Sequence, residues 1–184
     1  GGPQVPDRGL AVPRVACAPA FSGLAFDQSG NLYGASACSG AVLKFSALDL
    51  MADAGAVAPV LSLTDLSGPR GLAFDGRGNL FVADPAALEV VQYQAVDLAG
   101  TTASASARWK AKATDSPGDP TLLAPAALAF DTGGTLWAGE VGGTVLYALS
   151  SQVRSGAGTM TVLPSARFTF EPGVRAQGMA FDED

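Results

Sequence analysis

Short apolar runs broken by Gly, Asp, Asn and Pro fill most of the chain, and they recur. Gly23-Leu24-Ala25-Phe26-Asp27-Gln28-Ser29-Gly30-Asn31-Leu32-Tyr33 returns as Gly71-Leu72-Ala73-Phe74-Asp75-Gly76-Arg77-Gly78-Asn79-Leu80-Phe81. A third copy reads Ala127-Leu128-Ala129-Phe130-Asp131-Thr132-Gly133-Gly134-Thr135-Leu136-Trp137, and a fourth opens at Gly178-Met179-Ala180-Phe181-Asp182. The repeated aspartates lie 48, 56 and 51 residues apart. Periods near 50 residues belong to propeller blades and exceed those of leucine-rich or ankyrin arrays.

Each repeat predicts the same four strands. Gly-Leu-Ala-Phe-Asp alternates Leu and Phe on one face with Ala on the other, the period of a strand. The Asp-x-x-Gly-Asn turn supplies a glycine for positive φ and an Asp to accept backbone amides. A second strand follows at Asn31–Ala35, Asn79–Ala83 and Thr135–Gly139. The third ends on an aromatic each time, at Phe45, Tyr93 and Tyr147. The outer strand is expected at 57–63, at 107–111, and at either 159–163 or 167–170. Within a repeat the Asp-to-aromatic spacing holds at 18, 18 and 16 residues. Length variation therefore falls in the outer connection, including 114–120, where a surface loop tolerates insertion. Ser46–Leu50 and Gln94–Leu98 read as helical turns on the rim. The expected fold is all-β: three complete four-stranded antiparallel propeller blades and a begun fourth, starting near residues 23, 71, 127 and 178, after an N-terminal segment 1–19 with an outer strand around 10–17.

The pattern Gly-Leu-Ala-Phe-Asp-x-x-Gly-Asn-Leu-(Tyr/Phe)-Val-Ala-Asp, clearest from Gly71 to Asp84, resembles the NHL-repeat propellers and, more loosely, the gluconolactonase-like propellers. The resemblance covers about residues 20–184. It implies architecture and leaves function open, because such propellers host lactonases, lyases, adaptors and ligand-binding domains. The gluconolactonase-like enzymes hold a divalent metal with Glu, Asn and Asp from different blades. Asp84 or Glu140 matches that set only loosely, and Asn31 and Asn79 sit at the turn end. Propeller rings use four to eight blades, so three do not close one. The expectation is part of a six-bladed ring, continued by a longer chain or completed by a second copy, with a head-to-tail assembly as a further option.

Composition narrows the classes. The chain has 184 residues, 48% hydrophobic and 15% charged, which excludes disorder. Its net charge is −6, and Lys and Arg are scattered singly, which argues against nucleic acid. Its longest apolar runs are too short for a membrane span. Arg outnumbers Lys and Ala is abundant, the usage of a GC-rich bacterial genome. The pair Cys17 and Cys38 reads either as a disulfide from an oxidising compartment or as two small buried side chains.

The chain contains no histidine, which removes Ser-His-Asp and Cys-His catalysis and His-ligated zinc. The repeated aspartates Asp27, Asp75, Asp131 and Asp182 read as turn residues, not ligands. Better candidates lie at the end of the second strand, Ser36, Asp84 and Glu140, and just before the first strand, Ser22, Arg70 and Gln177. Arg70 between Asp84 and Glu140 suits an anion or a carboxylate. Asp84 and Glu140 are the oxygen ligands Ca²⁺ takes, set against a solvated polar rim as the default. Trp137 reads as core, and Trp109, on an outer strand, as the more exposed of the two tryptophans.

These residues lead to a non-enzymatic binding or scaffolding module, secreted, periplasmic or on the cell surface, that contacts protein or glycan and needs no cofactor unless it is Ca²⁺. Two alternatives stand beside it: a metal-dependent lactonase-like hydrolase, and a structural subunit that assembles between chains.

Overall fold

The structure is a computed structural model that describes residues 10, 20–52, 56–112, 121–149, 158–171 and 179–180. Cys17, Gln177, Asp182, the 114–120 stretch and the N-terminal strand apart from Leu10 lie outside the described residues.

The first blade orders β1 (Gly23–Phe26), β2 (Leu32–Ser36), β3 (Ala41–Phe45) and β4 (Leu61–Leu63) as one antiparallel sheet, with α1 (Ala47–Met51) between β3 and β4. The α1 start is set by Ser46, whose hydroxyl accepts from the Leu48 amide at 3.2 Å. The second blade repeats the order with β5 (Leu72–Phe74), β6 (Leu80–Asp84), β7 (Glu89–Tyr93) and β8 (Ala107–Ala111), and a 3₁₀ turn at Asp97–Ala99 stands where α1 stood. In the third, β9 (Pro125–Phe130), β10 (Leu136–Glu140) and β11 (Val145–Leu149) are closed by β13 (Ala166–Thr169). The intervening β12 (Gly158–Val162) pairs in parallel with β8. The two stretches that competed for the outer strand are thus both strands: 166–169 completes blade three, and 158–162 adds a fifth strand to blade two. The described sheets are propeller blades, and they do not close a ring.

Strands apolar on both faces are required because each blade is sandwiched. Tyr33, Ala35, Val42, Leu61 and Leu63 of blade one pack on Leu72, Leu80, Val82, Val91 and Tyr93 of blade two. The opposite face of blade two carries Phe81, Ala83, Val90 and Trp109 against Leu128, Leu136, Val145 and Tyr147 of blade three. One aromatic joint recurs. The second-strand aromatic of one blade meets the first-strand Phe of the next edge-on, Tyr33 with Phe74 at 5.0 Å and Phe81 with Phe130 at 5.1 Å between ring centroids. The inner strands come so close that a Cβ on Gly23 would lie 2.1 Å from the Arg70 carbonyl oxygen, and one on Gly71 2.7 Å from that of Ala126. The glycine that opens the repeat is a packing requirement.

Trp109 is a correction to the sequence reading. It is 1% exposed and stacks on Phe81 at 5.8 Å. Because β12 lies outside β8, the strand that carries Trp109 is not an edge, and Met160 packs over it. Trp137 is the half-buried tryptophan, tilted against Phe168.

Among the described residues, no blade precedes the leading face of blade one. Its outer part is covered by the chain itself: Phe21, Leu10 and Leu50 pack on Leu43 and Phe45. Phe21 lies over Gly34, where Val82 and Ala138 stand in the other blades, and a Cβ there would fall 2.5 Å from the ring. Gly34→Ala is expected to cost about 1–3 kcal/mol by overpacking, and combining it with Phe21→Leu should cancel most of that loss. Urea melts of the four proteins check this, and strictly additive costs would refute the contact. The inner part of the same face stays open: Leu24 and Phe26 are 58% and 62% exposed, against 8% for Leu72 and 6% for Leu128.

Candidate functional site

The two ends of the blades differ in what their polar groups are free to do. At the turn end, the Asp27 carboxylate accepts from the amides of Ser29 (2.9 Å) and Asn31 (3.0 Å) and from Asn31 Nδ2 (2.8 Å). Asp75 repeats this with Arg77 and Asn79, each bond at 2.9 Å. The Asn carbonyl then accepts from Ala47 or Ala95, which ties the turn to the end of the third strand. Gly30, Gly78 and Gly134 hold φ of 78°, 80° and 76° in these turns. In the third repeat Thr135 replaces Asn, and Trp137 Nε1 donates to Asp131 Oδ2 at 2.9 Å in place of the amide.

These donors, Trp137 first and then the Thr135 amide, hold the Asp131 carboxyl below its ordinary range. A depressed carboxyl favours the folded chain above its unfolded titration range, and that contribution fades as pH falls through the folded value. Trp137→Phe should raise the Asp131 midpoint toward the ordinary value, read by carboxyl-carbon NMR; an unmoved midpoint would show that the indole bond is not its main cause.

At the loop end, the sequence candidates separate. Ser36 and Asp84 are fully buried. Ser36 Oγ accepts from the Ser39 amide at 3.4 Å. Asp84 accepts from the amides of Ser67 (2.7 Å) and Gly68 (2.9 Å), one on each oxygen, and so fixes the connection from blade one into blade two. Ser22 has a similar task, its hydroxyl donating to the Pro69 carbonyl at 2.8 Å. Glu140 does not copy Asp84. The register shifts between Gly139 and Glu140, and Glu140 is left half-buried. Arg70 is exposed and pairs with neither Asp84 nor Glu140. Among the described residues, no three acidic or cysteine side chains gather as a metal site would need.

Between blades one and two, at the turn end, lies a groove of about 270 Å³. Its walls are the Asp27 turn, Tyr33 and Lys44 on one side, and Phe74, the Arg77 turn and Leu98 on the other. Lys44 Nζ donates to the Leu98 carbonyl at 2.9 Å and stands 5.5 Å from the Tyr33 ring centroid. Burial, with Asp27 beside it and bonded to it, pushes the Tyr33 hydroxyl well above its ordinary value, so it stays protonated. The sequence reading treated this end as turn structure alone. The groove escaped it because its walls come from different repeats.

A second polar network braces the outer edge. Arg108 pairs with Glu89 and with Asp65 (2.8 Å), and Tyr93 donates to Asp65. Burial, and then Asp65, push the Tyr93 hydroxyl up. Asp65 lies on the connection between blades, so the network ties that connection to blade two. Among the described residues no cysteine is a free thiol, and Cys38 is disulfide-bonded.

No known family's sequence profile matches this chain, and no curated protein does. Among solved structures it is similar to virginiamycin B lyase from Staphylococcus aureus, at 15% identity and a TM-score of 0.55 over 94% of this chain and 48% of that one. An inactive form of that enzyme with quinupristin gives 10% and 0.52 over 77% and 41%. A putative gluconolactonase gives 20% and 0.47 over 71% and 44%. The chain spans about half the length of the lyase, and at these identities the likeness is one of propeller fold. No helix among the described residues is long and apolar enough to cross a membrane.

Proposed function

We propose that this chain is a non-enzymatic binding module built of NHL-like propeller repeats, secreted or surface-exposed, which contacts protein or glycan at the groove between its first two blades. The observation that carries the reading is the groove itself, an opening between two blades lined by Lys44, the exposed Arg77, Tyr33 and Phe74. At the loop end, Ser36 and Asp84 are occupied by backbone amides. The bonded state of Cys38 supports an oxidising compartment, and Cys17 is the partner we assign it.

The test is a ¹⁵N chemical-shift titration with monosaccharides and short peptides, run beside a lactone-hydrolysis assay in Ca²⁺ and in Zn²⁺. Shifts centred on Gln28, Ser29 and Gly78 with no turnover support the module. Metal-dependent turnover abolished by Glu140→Gln would replace it with the lactonase-like alternative. A scaffolding role in assembly has its own support in the open Leu24 and Phe26 edge, since the Phe equivalent to Phe26 meets an aromatic of the preceding blade at Phe74 and at Phe130. Light scattering that shows a monomer at every concentration would remove assembly between copies.

A further inference from the structure

We infer that β12, the outer edge of blade two, pairs with β12 of a second copy of this chain across a two-fold axis at Met160. The contact is separate from the groove and from the open Leu24 and Phe26 face. β12 runs parallel to β8, from Gly158 beside Ala107 to Val162 beside Ala111, and it ends the strand order of the five-stranded sheet. The Gly158 amide donates to the Ser106 carbonyl, and the Val162 carbonyl accepts from the Lys112 amide. Backbone groups of alternate residues point to opposite sides of a strand, so Gly158, Met160 and Val162 serve β8. The N–H and C=O of Thr159 and Thr161 then point away from it. No described residue bonds those groups, and both threonines are exposed.

The pattern is its own complement. In an antiparallel pair centred on Met160, Thr159 stands opposite the partner's Thr161, and Thr161 opposite the partner's Thr159. Both are outward-facing residues, so each pair exchanges two backbone bonds and the threonine side chains meet on one face. Charge does not guard this edge. Residues 158–165 carry none, whereas β13 carries the exposed Arg167, and β4 is three residues long with Asp65 close behind. Arg108 and Lys110 lie beside Thr159 and Thr161 on β8. Three strand spacings, about 14 Å, would separate them from their copies, beyond a screening length of about 8 Å at physiological salt. Pro164 has no N–H and bounds the edge. A two-fold contact uses the edge of each copy fully, so assembly through it stops at a dimer.

Sedimentation velocity of the full chain between about 10 μM and 1 mM should show a monomer–dimer exchange, as a small interface gives. Amide exchange at Thr159 and Thr161 should slow as concentration rises, while Met160 and Val162, bonded to β8, stay unchanged. Thr161→Pro removes an outward N–H in each copy and none that β8 uses, and should weaken the dimer about thirty-fold. The double variant Thr159→Lys/Thr161→Lys sets like charges opposite each other twice and should weaken it about ten-fold. Thr159→Glu/Thr161→Lys sets opposite charges there and should restore it. These side chains are exposed, so the fold tolerates the changes. Phe26→Ser should leave the dimer in place, which separates it from assembly through the leading face. A monomer at every concentration, a dimer indifferent to Thr161→Pro, or double variants that behave alike would each overturn the inference. Protection of Thr159 and Thr161 in a strictly monomeric chain would give the edge to a segment of the same chain and likewise overturn it.

Discussion

Phe81→Ala is expected to destabilise the chain by about 3–5 kcal/mol, the cost of removing a buried phenyl ring from a packed core. Phe81 is fully buried in the largest core cluster among the described residues, stacked on Trp109 and edge-on to Phe130. Its loss opens a cavity at the joint between blades two and three, where rigid sheets leave little room to collapse. Against a typical total of about 5–15 kcal/mol, this removes a large share of the stability. Urea unfolding followed by tryptophan fluorescence measures it, with Trp109 as a reporter at the site itself. Phe81→Leu should recover part of the loss. A cost under about 1 kcal/mol would be incompatible with a packed aromatic joint.

The second large effect is at Asp84, and it separates structure from chemistry. Asp84→Ala removes the acceptor of two amides, Ser67 and Gly68, at a fully buried side chain. At about 1–3 kcal/mol for a donor left unpaired, two donors set the expected loss at about 2–6 kcal/mol, toward the lower end because Gly68 is buried while Ser67 is exposed and its amide can turn to water. Asp84→Asn keeps one acceptor oxygen and should cost less. Denaturation of both variants, with amide exchange at Gly68 as a local readout, checks the ranking. A metal ligand behaves differently, since its removal weakens metal binding and often leaves the apo fold intact. Asp84→Ala with unchanged stability and lost Ca²⁺ affinity would return this residue to the binding site.

The blades were legible because their determinants are local. Leu and Phe alternate with Ala, Asp meets Gly and Asn at fixed spacing, and an aromatic closes the third strand in all three repeats. The turn role of Asp27, Asp75 and Asp131 followed from the same spacing. Pairing between repeats was not legible. Nothing in Gly158–Val162 says that it will lie parallel to β8, and the packing of blade three on the face of β8 that carries Trp109 makes that residue core. Equivalence by alignment also misled at the loop end. Ser36, Asp84 and Glu140 share a repeat position, yet a one-residue register shift sets Glu140 apart from Asp84. The groove needs Lys44 from one repeat beside Arg77 from the next, a pairing that only blade packing creates.

The groove, the open leading edge and the Phe81 prediction depend on the blades meeting through the recurring aromatic joint. Nuclear Overhauser contacts between aromatic rings test that joint most directly. The account predicts cross-peaks from Tyr33 to Phe74 and from Phe81 to Phe130, with none from Phe26 to another ring of the same molecule. Absence of the first two, in a chain whose four-stranded sheets are otherwise intact, would contradict it.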